Sequence, residues 1–114
     1  MNSIKLSETQ LTKTIRDVLD ILKIPHFKHF GGPLSPKGVP DLIGVLPPSG
    51  RMLLIEVKKP GGKTSPEQSA FLRKFGLSGA FCLVAFSAQD VIIALAAEGY
   101  EPAQKMHLQF GGSH

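Results

Sequence analysis

Asp41, Glu56 and Lys58 are charged residues at one mouth and the other of two apolar runs, Leu42–Leu46 and Met52–Val57. Side chains alternate across a strand, so Glu56 and Lys58 share one face while Ile55 and Val57 take the other. The turn residues Pro47-Pro48-Ser49-Gly50 between the runs favour a hairpin, which returns the Glu56–Lys58 end to Asp41. Two carboxylates and one ammonium then converge beside a glycine-rich segment. Among apolar neighbours the repulsion of two carboxylates is costly unless a positive group sits between them. A hard divalent cation such as Mg²⁺ is held through one or two carboxylates, with water and phosphate oxygens completing its shell. The backbone carbonyl of Val57 is a further oxygen within the same stretch. Such a cation polarises a phosphodiester oxygen and acidifies a bound water, and a neighbouring lysine orients that water and offsets developing charge. The chemistry suits phosphodiester hydrolysis. Acyl transfer fits poorly, because no Ser-His-Asp or Cys-His order and no G-x-S-x-G elbow is present. Taken singly, Pro-Asp is an ordinary turn opener and the Glu/Lys pair an ordinary solvated strand edge. Neither explains why all three charges gather at one end of an apolar hairpin.

The elements that must position these residues fit one small domain of 114 residues with 42% hydrophobic content. A chain of this length buries about two-thirds of its unfolded surface, so it needs no metal or disulfide merely to fold. Lys and Arg number 13 against 9 Asp and Glu, for a net charge of +4, which permits a polyanionic partner. Cys82 is the only cysteine, so a disulfide framework and a cysteine-rich zinc site are both excluded, and its apolar setting reads as packing. No run is long and apolar enough to span a membrane, and Met1–Lys5 lacks a signal-peptide core, so a soluble, cytoplasmic protein is expected.

Ser7 and Gln10 form a capping-box pattern ahead of Leu11, Ile15, Val18, Leu19 and Leu22, predicting a helix over about Glu8–Lys23 that Pro25 ends. His26–Phe30 is a candidate short strand, and Gly31–Gly38 a mobile loop. Strands follow at about Asp41–Leu46 and Met52–Lys58. Ser65-Pro66-Glu67-Gln68 opens a second helix that carries Phe71, Leu72 and Phe75 and stops near Gly76. Ala80–Phe86 reads as a strand, and Ser87-Ala88-Gln89-Asp90 opens a third helix ending at Gly99. The order α-β-β-β-α-β-α argues for an α/β fold with a mixed sheet, in which the second helix is a crossover between parallel strands. The third helix, Val91 to Ala97, is apolar nearly all round and needs cover on two sides. Either a second copy in a two-fold dimer supplies it, or Tyr100–Phe110 folds back over it. The remainder, 99–114, is otherwise read as a tail.

Val39-Pro40-Asp41, fourteen intervening residues and Glu56-Val57-Lys58 resemble the P-D…(D/E)-x-K signature of restriction-endonuclease-like nucleases. With Gly38, Ser65-Pro66-Glu67-Gln68 and Ser87-Ala88-Gln89-Asp90-Val91, the chain from Glu8 to Leu95 resembles the virus-type replication-repair nuclease (VRR-NUC) domain. That resemblance implies a restriction-endonuclease-like sheet flanked by helices and a Mg²⁺- or Mn²⁺-dependent endonuclease acting on DNA. It makes Asp41 and Glu56 the metal carboxylates, the Val57 carbonyl a further ligand and Lys58 the catalytic lysine. Glu8 matches an acidic position that faces the metal in such nucleases, though as a first helical residue it equally suits the helix dipole. Gln68 matches a glutamine near the active site, and its capping role with Ser65 is compatible with that. Lys28 and His29 fill the place of a basic strand that touches DNA phosphates, with Lys37 in the following loop. A minimal stand-alone member resembles homodimeric Holliday junction resolvases, in which two active sites cut a symmetric branched substrate.

Two rival readings are weaker. Gly61-Gly62-Lys63-Thr64 evokes the end of a phosphate-binding P-loop, but Val57 stands where the first glycine would be and the helix begins after Ser65. No nucleotide cofactor is expected, and Lys59 and Lys63 become available to the DNA backbone. A non-cleaving DNA-binding module or specificity subunit would need the basic face but not Asp41, Glu56 and Lys58 together.

Overall fold

A computed structural model of the chain describes residues 6–110. The reading of Met1–Lys5 as lacking a leader, and the end of the tail at 111–114, fall outside the described residues. Helix α1 (Glu8–Ile21) starts as its capping box predicts, with the Gln10 N–H donating to Ser7 Oγ and the Ser7 N–H donating to Gln10 Oε1. Its buried residues Leu11, Ile15, Leu19 and the capping Leu22 recur every three or four positions, forming one apolar stripe. The helix ends two residues earlier than Lys23. Lys23 takes a left-handed conformation (φ 63°) and the Ile24 N–H reaches back to the Leu19 carbonyl, so a backbone cap, ahead of Pro25, stops it.

Strand β1 (His26–Lys28) is shorter than His26–Phe30, and it pairs antiparallel with β2 (Leu42–Leu46). The hairpin to β3 (Arg51–Val57) forms as expected, in register Leu42 to Ile55 and Leu46 to Arg51, with the Gly50 N–H closing onto the Leu46 carbonyl. Helix α2 (Pro66–Leu77) crosses over to β4 (Phe81–Ala85), which runs parallel to β3. The sheet order is β1-β2-β3-β4.

The two faces of this sheet differ. Leu42, Leu53, Ile55 and Val57 point into a core shared with α1, α3 (Ala88–Ala97) and Ala103. Each fully buried Leu or Ile there contributes about 1.5–3 kcal/mol. Leu54 and Glu56 point to the opposite face, where α2 lies against β4, with Gly76 over the Cys82 sulfur. Helix α2 leaves the rest of that face open: Phe27, Val45 and Met52 are 57%, 44% and 37% exposed.

The chain after Gly99 is not a tail. Glu101–Phe110 forms α4, which lies back against α3, buries Ala103 and bonds Gln104 Nε2 to the Ala96 carbonyl. Tyr100 donates its hydroxyl to the Leu22 carbonyl at 2.8 Å, tying this return to the end of α1. The two-sided burial that α3 demands is therefore met largely within one chain, although Ile93 stays 46% exposed. Among the described residues no helix is long and apolar enough to cross a membrane.

Candidate active site

Asp41 sits immediately before β2, where Pro40 is buried and has no N–H to give the ladder. Its carboxylate enters the sheet instead, with Oδ2 accepting the Val57 N–H at 2.8 Å. Because the N–H and C=O of one strand residue leave by the same edge, the Val57 carbonyl also leaves on the Asp41 side. The Asp41 carbonyl accepts the His29 N–H, joining the end of β1 to the same point.

Glu56 is 2% exposed, on the face of β3 that looks toward α2. Its Oε2 accepts from Gln68 Nε2 at 3.0 Å and lies 3.5 Å from Lys58 Nζ. Its Oε1 is buried without any hydrogen-bond partner. Burial raises the Glu56 carboxyl from 4.5 to about 7, the negative charge of Asp41 adds to the rise, and Lys58 opposes it. A buried carboxylate oxygen with no donor is costly, and here it stands beside a second carboxylate. That donor set, hard oxygens with one orphaned and one backbone carbonyl alongside, fits a divalent cation such as Mg²⁺ or Mn²⁺. Among the described residues, no group of three or more His, Cys, Asp or Glu side chains converges. The protein side of such a site is thus two carboxylates and a carbonyl.

Four of the residues singled out from the sequence, Asp41, Glu56, Lys58 and Gln68, come together at this point, with the Val57 backbone between them. Glu8 does not join them; it is exposed at the start of α1, with Oε2 3.5 Å from the Lys59 N–H. The basic residues divide. His29 adjoins Asp41 through its backbone, Lys59 and Lys63 are exposed on the β3–α2 connection, and Lys37 is exposed next to Gly38. Lys28 pairs with Leu42, whose partner is Ile55, so it belongs to the α1 face of the sheet, away from Glu56. There it shares a cleft with Lys13 and Arg16 of α1. Burial also pushes the Cys82 thiol upward, consistent with packing and against a reactive role.

In the sequence Gly38 stands only as part of the family pattern, without a structural role. Gly38 has φ +82°, and a Cβ on it would stand 2.3 Å from the Glu67 carbonyl oxygen. The loop that delivers Asp41 is therefore docked backbone to backbone on the first turn of α2. Only its place in a Gly-Val-Pro-Asp turn signalled such a need.

The VRR-NUC domain family matches residues 5–89 of the chain. Among solved structures, a "VRR_NUC domain protein" superposes with a TM-score of 0.63 at 16% identity, covering 88% of this chain and 92% of its own. At that identity the likeness speaks to the fold. A comparison with curated proteins returned no match.

Proposed function

The chain belongs to the VRR-NUC family of nuclease domains, and from that premise we propose that it is a metal-dependent DNA endonuclease that cuts branched DNA such as Holliday junctions. What carries the reading is the buried, partnerless Oε1 of Glu56 beside Asp41, with Lys58 at 3.5 Å from the other oxygen. Asp41, Glu56 and the Val57 carbonyl would hold Mg²⁺ or Mn²⁺, which would supply charge neutralisation and an acidified water. Gln68 and Lys58 both engage Glu56 Oε2, which leaves Oε1 as the oxygen available to the cation. Lys58, half-buried and therefore weakly screened, presents its ammonium to the attacking water and to the negative charge that grows on the phosphate. His29, Lys37, Lys59 and Lys63 flank this point and take the DNA backbone, while Lys28 serves only a strand that wraps to the α1 face. Glu8, next to Lys59, joins as a ligand only if the β3–α2 connection closes on the site. The setting is the cytoplasm of a bacterial or phage-infected cell.

A homodimer accompanies this reading, but its surface shifts. With α4 on α3, the sheet face of Phe27, Val45 and Met52, the face that also carries Glu56, is an apolar area left uncovered. Sedimentation at micromolar concentration is expected to give a dimer that Val45→Asp dissociates; a monomeric wild type removes the dimer from the proposal.

The activity is tested with labelled four-way junction, flap, single-stranded and linear duplex DNA, each with Mg²⁺, Mn²⁺ or EDTA. Cutting of the branched substrates is expected with metal alone, and Asp41→Asn and Lys58→Ala should abolish it. Wild type that binds DNA without cutting any substrate would identify a non-cleaving module instead. Undiminished cutting by either variant would remove the mechanism.

A further inference from the structure

The Gln68 side chain is held at both ends. Its Oε1 accepts the Ser65 N–H at 2.8 Å, while its Nε2 donates to Glu56 Oε2 at 3.0 Å. The Ser65 hydroxyl in turn accepts the Gln68 N–H at 3.1 Å. A terminal amide can present either oxygen or nitrogen to a neighbour, and the oxygen would repel a carboxylate. The Ser65 N–H is a donor only, so the amide oxygen satisfies it, and the NH₂ is thereby turned toward Glu56. A generic helix start has become part of a polar chain that ends on a buried carboxylate. The same turn of α2 is clamped from its other side, because Gly38 rests on the Glu67 carbonyl just upstream of Pro40 and Asp41. Among the described residues the starts of α1 and α3 carry no such chain: the Ser7–Gln10 box is exposed, and at α3 Ser87 Oγ accepts the Asp90 N–H while Asp90 Oδ2 accepts the Phe86 N–H.

We infer that Ser65 is a positioning residue of the metal site, acting through Gln68 to aim Glu56 so that its unpartnered oxygen stays free for the cation. The inference rests on the reading of Asp41 and Glu56 as cation ligands. Groups that orient metal ligands typically change metal affinity by about 10–100-fold when removed.

The test is Mn²⁺ affinity of the full chain without DNA, by calorimetry and by loss of the free-ion electron paramagnetic resonance signal. Ser65→Pro suits the observed φ of −72° yet lacks the N–H that fixes the amide, so it should bind Mn²⁺ about 10–100-fold more weakly. Ser65→Ala, which loses the hydroxyl tether, should lose affinity in the same direction by less, and guards against a proline variant that does not fold. Ser65→Thr, which keeps both donor and hydroxyl, should bind like wild type. Ser87→Ala removes an N-cap whose hydroxyl bonds the Asp90 N–H and not Asp41, Glu56 or Gln68, and should leave affinity unchanged. Wild-type affinity in folded Ser65→Pro and Ser65→Ala overturns the inference, as does an equal loss in Ser87→Ala. Wild type and Asp41→Asn that both fail to bind Mn²⁺ would instead overturn the ligand reading beneath it.

Discussion

Removing divalent metal with EDTA and raising the pH should destabilise this protein through one side chain. The Glu56 carboxyl is held at about 7 in the folded chain, by burial first and by Asp41 second, against an ordinary value of 4.5. An acid with a raised folded value binds its proton more tightly in the folded state. Its stabilising contribution is therefore complete below about pH 4.5, falls as the pH rises between 4.5 and 7, and is gone above 7. At about 1.4 kcal/mol per pH unit the whole effect is about 3 kcal/mol, most of which is lost between pH 5 and pH 8. Urea unfolding in EDTA at several pH values, with Glu56→Gln in parallel, isolates this contribution because glutamine does not titrate. Wild type should lose about 2–3 kcal/mol relative to the variant across that range. Millimolar Mg²⁺ or Mn²⁺ should restore wild type at pH 8 but not Glu56→Gln, since binding to the folded state alone adds stability. A wild-type-to-variant difference that stays constant with pH would refute the account of a buried, strained carboxylate.

Other perturbations have separate readouts. Gly38→Ala must place a Cβ against the Glu67 carbonyl in a left-handed conformation, and should lower the urea-derived stability by about 2 kcal/mol or more. Lys58→Met keeps the stem but removes the ammonium, so single-turnover cutting should slow by about 10²–10³-fold, while junction binding in gel shift is largely kept. Lys59→Ala and Lys63→Ala should each weaken DNA binding regardless of sequence and reduce the slope of log affinity against log salt by about one. Tyr100→Phe leaves the Leu22 carbonyl without its hydroxyl donor, costing about 0.5–1.5 kcal/mol, seen as a lower thermal midpoint.

The site was legible where short-range rules governed it. Alternation put Glu56 and Lys58 on one face, the Pro-Pro-Ser-Gly turn returned them to Asp41, and both capping boxes formed as written. The parallel crossover followed from a single helix between two apolar runs. What escaped depended on contacts between distant segments. Strand alternation alone says that neighbours oppose one another, so Lys28 could not be assigned to the α1 face until β1 was paired residue by residue with β2. Helix α4 is mostly polar and exposed, with Ala103 and Met106 as its main inward side chains, too sparse a pattern to separate from a tail. Its existence answers a demand made by α3, whose apolar circumference was plain in the sequence; Tyr100–Phe110 was one of two candidates to meet it, and nothing local chose between that segment and a second copy.

The bond from the Val57 N–H to Asp41 has a consequence for observation as much as for chemistry. A ladder position that would ordinarily be satisfied by a strand carbonyl is satisfied by a carboxylate, so one main-chain proton is wired to the charge state of Asp41 in the candidate site. In an isotope-labelled sample the Val57 amide resonance becomes a native probe, moving when Asp41 gains a cation or a proton. Its solvent-exchange rate reports whether the mouth of the hairpin has opened. The neighbouring amide of Lys58 bonds to the Ala85 carbonyl and supplies an internal reference from the same strand.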